Sequence, residues 1–273
     1  MRMPEDQYVD VGDGHRLHVL DIGQGPAVVF LHGSGPGASG WSNFRRNYPV
    51  FVELGFRTVV IDTLGFGRSS KPDDVDYGLE LLCGLLRRAL AALGIDRCAV
   101  VGNSHGGALA IRLALDAPDL VERLVLMAPG GLETRETYMA MAGIRAMVKL
   151  VLGKEGVSRE GLRGVLSLQL FDPSILDDDL VDERLEVALE QPRRVLSSLS
   201  VPNLAPEVPR LACPVFGLWG MNDQFCPVSG ALTLAGAPRA RVMVINHCGH
   251  WVMIERPGLF NRLAIDFLRE SCP

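Results

Sequence analysis

The sequence is poor in the features that mark nucleic-acid, membrane, metal and disulfide-stabilised proteins. No run of basic residues exceeds a pair such as Arg87-Arg88 or Arg193-Arg194, and the formal net charge of the 273 residues is -5. The basic stripe that a phosphate backbone requires is therefore missing, and no nucleic acid is an expected partner. No uninterrupted apolar stretch is long enough to span a bilayer. The first residues, Met1-Arg2-Met3-Pro4-Glu5-Asp6, lack the apolar core of a signal peptide. A soluble, cytoplasmic protein with no membrane partner is the expectation. Six cysteines, at 83, 98, 213, 226, 248 and 272, stand singly with no C-x-x-C spacing, which argues against a zinc ribbon or redox pair and for buried free thiols. His247-Cys248-Gly249-His250 offers two imidazoles without the further ligands a metal needs. No metal and no cofactor are expected, and there are no repeats or low-complexity tracts.

What is present is an alternation of apolar strands and helices. A hairpin is read at residues 8–11 and 17–20, joined through Gly12-Asp13-Gly14. Further strands are expected at 27–31, 57–61, 99–101, 124–127, 214–219 and 241–245, with helices at 41–54, 79–93 and 107–116 between them. This order predicts an α/β fold with a largely parallel sheet covered on both faces. From 133 to 205 the pattern is helical only, with helices expected at 137–152, 158–170 and 177–190, broken by Gly153, Gly156, Pro173 and Pro192. We read 1–132 and 206–273 as one core domain and 133–205 as an inserted helical lid. A closing helix is expected over 259–268, whose apolar residues recur at helical spacing.

The chemistry-bearing motif is Gly102-Asn103-Ser104-His105-Gly106-Gly107, directly after the apolar run 98–101 and before a helix. A strand turning sharply into a helix through small residues exposes the middle side chain, so Ser104 is the candidate nucleophile. A serine hydroxyl is a poor nucleophile alone and needs an imidazole base oriented by an acid. Asp223 lies in the turn after the strand at 214–219. His250 follows the strand at 241–245, and His247 is its rival as base. Asp223 also reads as a turn cap. The order serine, acid, histidine is that of α/β-hydrolases. The glycine-rich segment Leu31-His32-Gly33-Ser34-Gly35-Pro36-Gly37 is not followed by Gly-Lys-Ser/Thr, so we read it as an oxyanion loop rather than a phosphate loop. The backbone amides of Ser34 and His105 are the expected donors.

Larger blocks carry a family resemblance. His32-Gly33-Ser34-Gly35-Pro36-Gly37-Ala38, Gly40-Trp41-Ser42-Asn43, Met127-Ala128-Pro129-Gly130-Gly131, Cys248-Gly249-His250-Trp251 and Phe260 to Leu268 resemble the meta-cleavage product hydrolases over nearly the whole chain. The resemblance implies the α/β-hydrolase fold, with a mostly parallel eight-stranded sheet and a helical lid. It also implies hydrolysis of a carbon-carbon bond in 2-hydroxy-6-oxo-hexa-2,4-dienoates from aromatic or steroid catabolism, without a cofactor. By position it makes Ser104, Asp223 and His250 the triad. Gly33, Asn43, Asn103, Arg184, Phe225 and Trp251 become substrate contacts, with Arg184 on the substrate carboxylate. Composition alone reads Arg184 as a solvated helix arginine. His105 departs from the apolar residue common in the family at that position. The partners expected are a small dienoate and further copies of this chain in a homodimer or higher homo-oligomer. A carboxylesterase or lactonase, and a hydrolase-fold ligand receptor, are the alternatives.

Overall fold

In the computed structural model, residues 5–270 are described. Met1–Pro4 and residues 271–273, including Cys272, lie outside them. Eight strands form one sheet in the order β1-β2-β4-β3-β5-β6-β7-β8. They are β1 (Gln7–Gly12), β2 (His15–Ile22), β3 (Ala27–Leu31), β4 (Arg57–Ile61), β5 (Cys98–Asn103), β6 (Val121–Met127), β7 (Val215–Gly220) and β8 (Ala240–Ile245). β2 runs antiparallel to both of its neighbours, β1 and β4; across the sheet from β4 to β8 every pairing is parallel. β3 and β5, at the centre, are the near-continuous apolar runs that a sheet covered on both faces requires.

The helices are α1 (Gly40–Phe44), α2 (Tyr48–Glu53), α3 (Leu79–Ala92), α4 (His105–Asp116), α5 (Arg135–Ala140), α6 (Ala142–Leu152), α7 (Arg159–Ser167), α8 (Asp178–Leu189), α9 (Arg193–Ser197), α10 (Ser229–Leu234), α11 (Val252–Glu255) and α12 (Pro257–Arg269). One sheet face packs on Leu82, Leu86, Leu109 and Leu113 of α3 and α4. The other packs on Phe44, Phe51 and Phe260, around which Phe30 of β3 makes edge contacts at 5.2 and 5.1 Å. Between β6 and β7 the chain forms α5 to α9 and two short 3-10 turns, without a named strand. No described helix is long and apolar enough to cross a membrane. The five described cysteines are free and buried.

Three expected helices differ, each for a local reason. The span 41–54 is two helices, because Pro49 enters near the start of α2 and Asn47 leaves helical pairing to donate from Nδ2 to Met253 O and Asn261 Oδ1, both at 3.0 Å. The span 137–152 breaks at Met141, where the backbone is extended. The Gly143 amide there donates to Gln224 O at 2.8 Å, and a β-carbon on Gly143 would lie 2.4 Å from the Phe225 ring. The span 158–170 stops at Ser167 because the Gln169 carbonyl is turned toward the histidine loop.

Candidate active site

The parallel strands end on one side of the sheet, and the site is assembled from the loops that leave β3, β5, β7 and β8. At the end of β5 the chain turns into α4 within one residue. Ser104 takes φ 54°, ψ -117°, a conformation costly for a residue with a β-carbon. Crowding enforces the flanking glycines: a β-carbon at Gly102 would sit 2.5 Å from Gly106 O, and one at Gly106 would sit 2.1 Å from Leu31 O. The strain therefore holds the serine at the rim of the sheet.

The acid and base loops meet beside it. Asp223 Oδ2 accepts from His250 Nδ1 at 2.6 Å, and Asp223 Oδ1 accepts the amides of Phe225 at 2.7 Å and Cys226 at 2.9 Å. Both readings of Asp223 hold together: one oxygen caps its turn while the other orients the imidazole. His250 is buried, whereas His247 is exposed with φ 50°. Ser104, His250, Gly33, Ser34, Asn43, Asn103, Arg184, Phe225 and Trp251 all line one cavity of about 30 Å³. No hydrogen bond joins Ser104 Oγ to His250 in this conformation; in ligand-free enzymes such contacts are commonly long. A wider groove, about 730 Å³, opens at the opposite end of the sheet around Pro26, Phe56 and Pro214 and contains none of these groups.

Two peptide planes are locked by their carbonyls, and this aims their amides. His32 Nδ1 donates to Gly33 O at 2.7 Å while His32 Nε2 accepts the Thr63 amide at 3.1 Å, which fixes a neutral imidazole whose basicity burial lowers. Because a trans peptide sets C=O and N–H on opposite sides, holding the Gly33 carbonyl turns the Ser34 amide the other way. The Ser104 carbonyl likewise accepts Ala108 N at 3.1 Å and Gly130 N at 2.9 Å, which orients the His105 amide. Neither the Ser34 nor the His105 amide donates to a protein acceptor among the described residues. Gly35, Gly37 and Gly40 also fall at Gly-x-Gly-x-x-Gly spacing, which elsewhere cradles a pyrophosphate. Here Gly37 instead admits α8: a β-carbon there would lie 1.7 Å from Arg184 O.

Arg184 is only 2% exposed, so it is not the solvated helix arginine that composition suggests. Its Nε and Nη2 donate to Pro36 O at 3.3 and 3.1 Å, and its guanidinium lies 5.4 Å from the Trp251 ring centroid. The adjacent Glu183 turns outward to Arg45 at 2.5 Å. Among the described residues no carboxylate forms an ion pair with Arg184, and burial lowers its pKa to about 10, partly opposed by the charge of Glu183. Asn43 Nδ2 donates to Asn103 Oδ1 at 3.3 Å, and Asn103 Nδ2 to Met127 O at 3.2 Å. The Phe225 and His250 rings lie 5.3 Å apart. Every site residue expected from the sequence is therefore in or beside one cavity.

The profile of the alpha/beta hydrolase family matches residues 28–263. Over 264 residues the chain is 38% identical to the 2-hydroxy-6-oxononadienedioate/2-hydroxy-6-oxononatrienedioate hydrolase of Comamonas testosteroni, covering 93% of this chain and 91% of the relative. It is equally similar, at 38% with the same coverage, to the 2-hydroxy-6-oxo-6-phenylhexa-2,4-dienoate hydrolase of Burkholderia cepacia. The structure of the meta-cleavage product hydrolase from Pseudomonas fluorescens IP01 matches with a TM-score of 0.85 and 28% identity over 97% of this chain and 98% of that one. This chain belongs to the meta-cleavage product hydrolases, carbon-carbon bond hydrolases of the alpha/beta hydrolase family.

Two further residues of this hydrolase escaped the sequence reading. Glu255 ties the histidine loop to the helical segment between β6 and β7, accepting Gly249 N at 2.6 Å with one oxygen and Phe171 N at 2.8 Å with the other. Gln169 accepts His250 N at 2.8 Å and Trp251 N at 3.2 Å at its backbone carbonyl, and its side chain lines the cavity. A glutamate five residues past a histidine and a glutamine at a helix end carry no motif, so nothing in the sequence singles them out.

His105 has an unusual cost. Its ring is buried between His32 and Phe66 with neither nitrogen hydrogen bonded, and desolvation, reinforced by His32, pushes its pKa down to about 3. His105→Leu is expected to raise unfolding free energy at pH 7 by about 1–3 kcal/mol, the usual cost of an unmet buried polar group. The gain should be larger at pH 5. The folded pKa lies below the ordinary 6.5, so the unfolded chain binds the extra proton; stability from the neutral ring is complete above 6.5 and drains as pH falls toward 3. Urea melts at both pH values test this, and an unchanged or lower midpoint in the variant counts against it.

Proposed function

We propose that this hydrolase cleaves the C5–C6 bond of 2-hydroxy-6-oxo-hexa-2,4-dienoates, with Ser104, His250 and Asp223 as its triad, and that it does so in the cytoplasm. The observation that carries the substrate class is the buried, carboxylate-free guanidinium of Arg184 in the same cavity as the serine. A buried cation with no carboxylate in direct contact is unfavourable, and a substrate carboxylate would supply that contact.

Breaking this bond requires a place for its electron pair. Protonation at C5 with loss of the C2 hydroxyl proton gives the 2-oxo form. When water or the serine hydroxyl adds at C6 and the C5–C6 bond breaks, the released pair runs through the C3–C4 alkene to the C2 oxygen. Water is consumed, and the products are a 2-hydroxypenta-2,4-dienoate and the carboxylic acid that retains C6. His250, held by Asp223, moves the protons. The Ser34 and His105 amides receive the charge that builds on the C6 oxygen, and they need no reorganisation because their peptide planes are already fixed. Asn43, Asn103 and Trp251 complete the carboxylate end around Arg184, with Gly33 and Phe225 as walls. A cavity of about 30 Å³ is far below the roughly 300–1,000 Å³ of ordinary ligand sites, so α6, which contributes Ile144 and Met147, must shift to admit substrate.

The deciding experiment follows the decay of the yellow dienolate for a panel of ring-fission products, ranked by kcat/KM against simple aryl esters. Preference for dienoates supports the proposal. Stable dienolate colour throughout the panel, with brisk ester hydrolysis, would reassign the chain to ester cleavage.

A further inference from the structure

The side chain of Gln169 is 5% exposed and lines the cavity, yet its Oε1 has no hydrogen-bond partner. In this orientation of the amide an enclosed acceptor is unmet. A leucine would fill the same place without that desolvation cost, so packing alone does not account for a glutamine here. The nearby cavity wall includes Ile144, Met147 and Phe225, and Arg184 is the one permanently charged side chain lining the cavity.

We infer that Gln169 is a substrate-binding residue that accepts a hydrogen bond from an uncharged hydroxyl or amino group on the C6 substituent. The preferred substrates are then ring-fission dienoates whose C6 group is neutral and hydrogen-bond donating. This rests on the function proposed above. In the 2-oxo form the shared framework of these substrates presents a carboxylate and two ketones, all acceptors, so once the C2 hydroxyl has lost its proton the substrate can offer Oε1 a donor only from the variable substituent. A second carboxylate at C6 would enter a buried site whose guanidinium is already engaged, and burial of an unpaired charge disfavours it. Hydrolases named for dioate and for phenyl substrates match this chain equally well, at 38% identity each.

The test compares the wild-type chain with Gln169→Leu on 2-hydroxy-6-oxohexa-2,4-dienoates carrying phenyl, each isomeric hydroxyphenyl, or 2-carboxyethyl at C6. The wild type is expected to favour a hydroxyphenyl isomer over phenyl by about tenfold or more in kcat/KM, the scale of a buried hydrogen bond that is met in one substrate and unmet in the other. Gln169→Leu should lose that preference, bringing the hydroxyphenyl-to-phenyl ratio of kcat/KM toward one, and melt no lower than wild type; Gln169→Met serves if leucine does not fold. An unchanged hydroxyphenyl-to-phenyl ratio in the variant, or a wild-type preference for carboxyethyl, overturns the inference. An equal loss on every substrate also overturns it, because the glutamine would then serve the common dienoate end. Failure of the wild type to cleave any of these compounds defeats the proposed function itself.

Discussion

Ser104→Ala should reduce formation of the carboxylic acid product by on the order of 10³-fold or more, the scale seen when a triad nucleophile is removed. The change is local: alanine keeps the positive φ and relieves nothing in the crowded Gly102 and Gly106 contacts, so the fold is expected to persist. Asp223 still holds His250 through the 2.6 Å bond, and Arg184 still meets the carboxylate. Binding and the proton step that converts the dienol to its 2-oxo form should therefore survive while cleavage does not. Rapid mixing would show the dienolate absorbance change without release of acid, as quantified by chromatography. Acid release at the wild-type rate would remove Ser104 from the mechanism.

Arg184→Ala should lower dienoate kcat/KM by about 2–5 kcal/mol in transition-state terms, roughly 30- to 4,000-fold, the cost of removing one member of a buried, hydrogen-bonded charge pair. A simple aryl ester has no carboxylate to lose and should be hydrolysed nearly as before. The variant is not expected to be badly destabilised, because the guanidinium it loses is buried without a carboxylate and donates only to Pro36 O. The wild type carries a further signature. Arg184 remains protonated below about 10, so dienoate KM should be insensitive to this group at neutral pH and rise as the pH approaches that value. Parallel loss on ester and dienoate would mean that Arg184 supports the architecture of the site rather than the substrate.

Much of this was legible in the sequence because it depends on local steric demands. Each expected strand is present; the central β3, β5 and β7 are apolar runs buried on both faces, which leave few alternatives, while the exposed edge strands β1 and β8 were legible from their β-branched residues and bounding turns. The elbow was readable because its glycines are required by contacts with neighbouring backbone. Helix limits were less legible: the breaks at Met141 and Ser167 arise where Gly143 pairs with Gln224 and Gln169 turns to the histidine loop, contacts that span more than 80 residues each. Arg184 shows the same divide. Its surroundings in α8 are acidic and read as a solvated face, and only the close approach of Gly37 to the helix backbone reveals that its side chain is enclosed. Glu255 and Gln169 act through partners remote in the chain, so their roles appear only in three dimensions.

The bond from His250 N to the Gln169 carbonyl, together with the two-sided grip of Glu255, fastens the helical segment between β6 and β7 to the loop that carries His250, the proposed base. Specificity and reactivity are consequently not separable modules in this chain. Grafting the 133–205 segment of another family member onto this core would also replace the backbone seat of the imidazole, so chimeras chosen to widen substrate range should suffer in turnover unless residues 169–171 are restored with them.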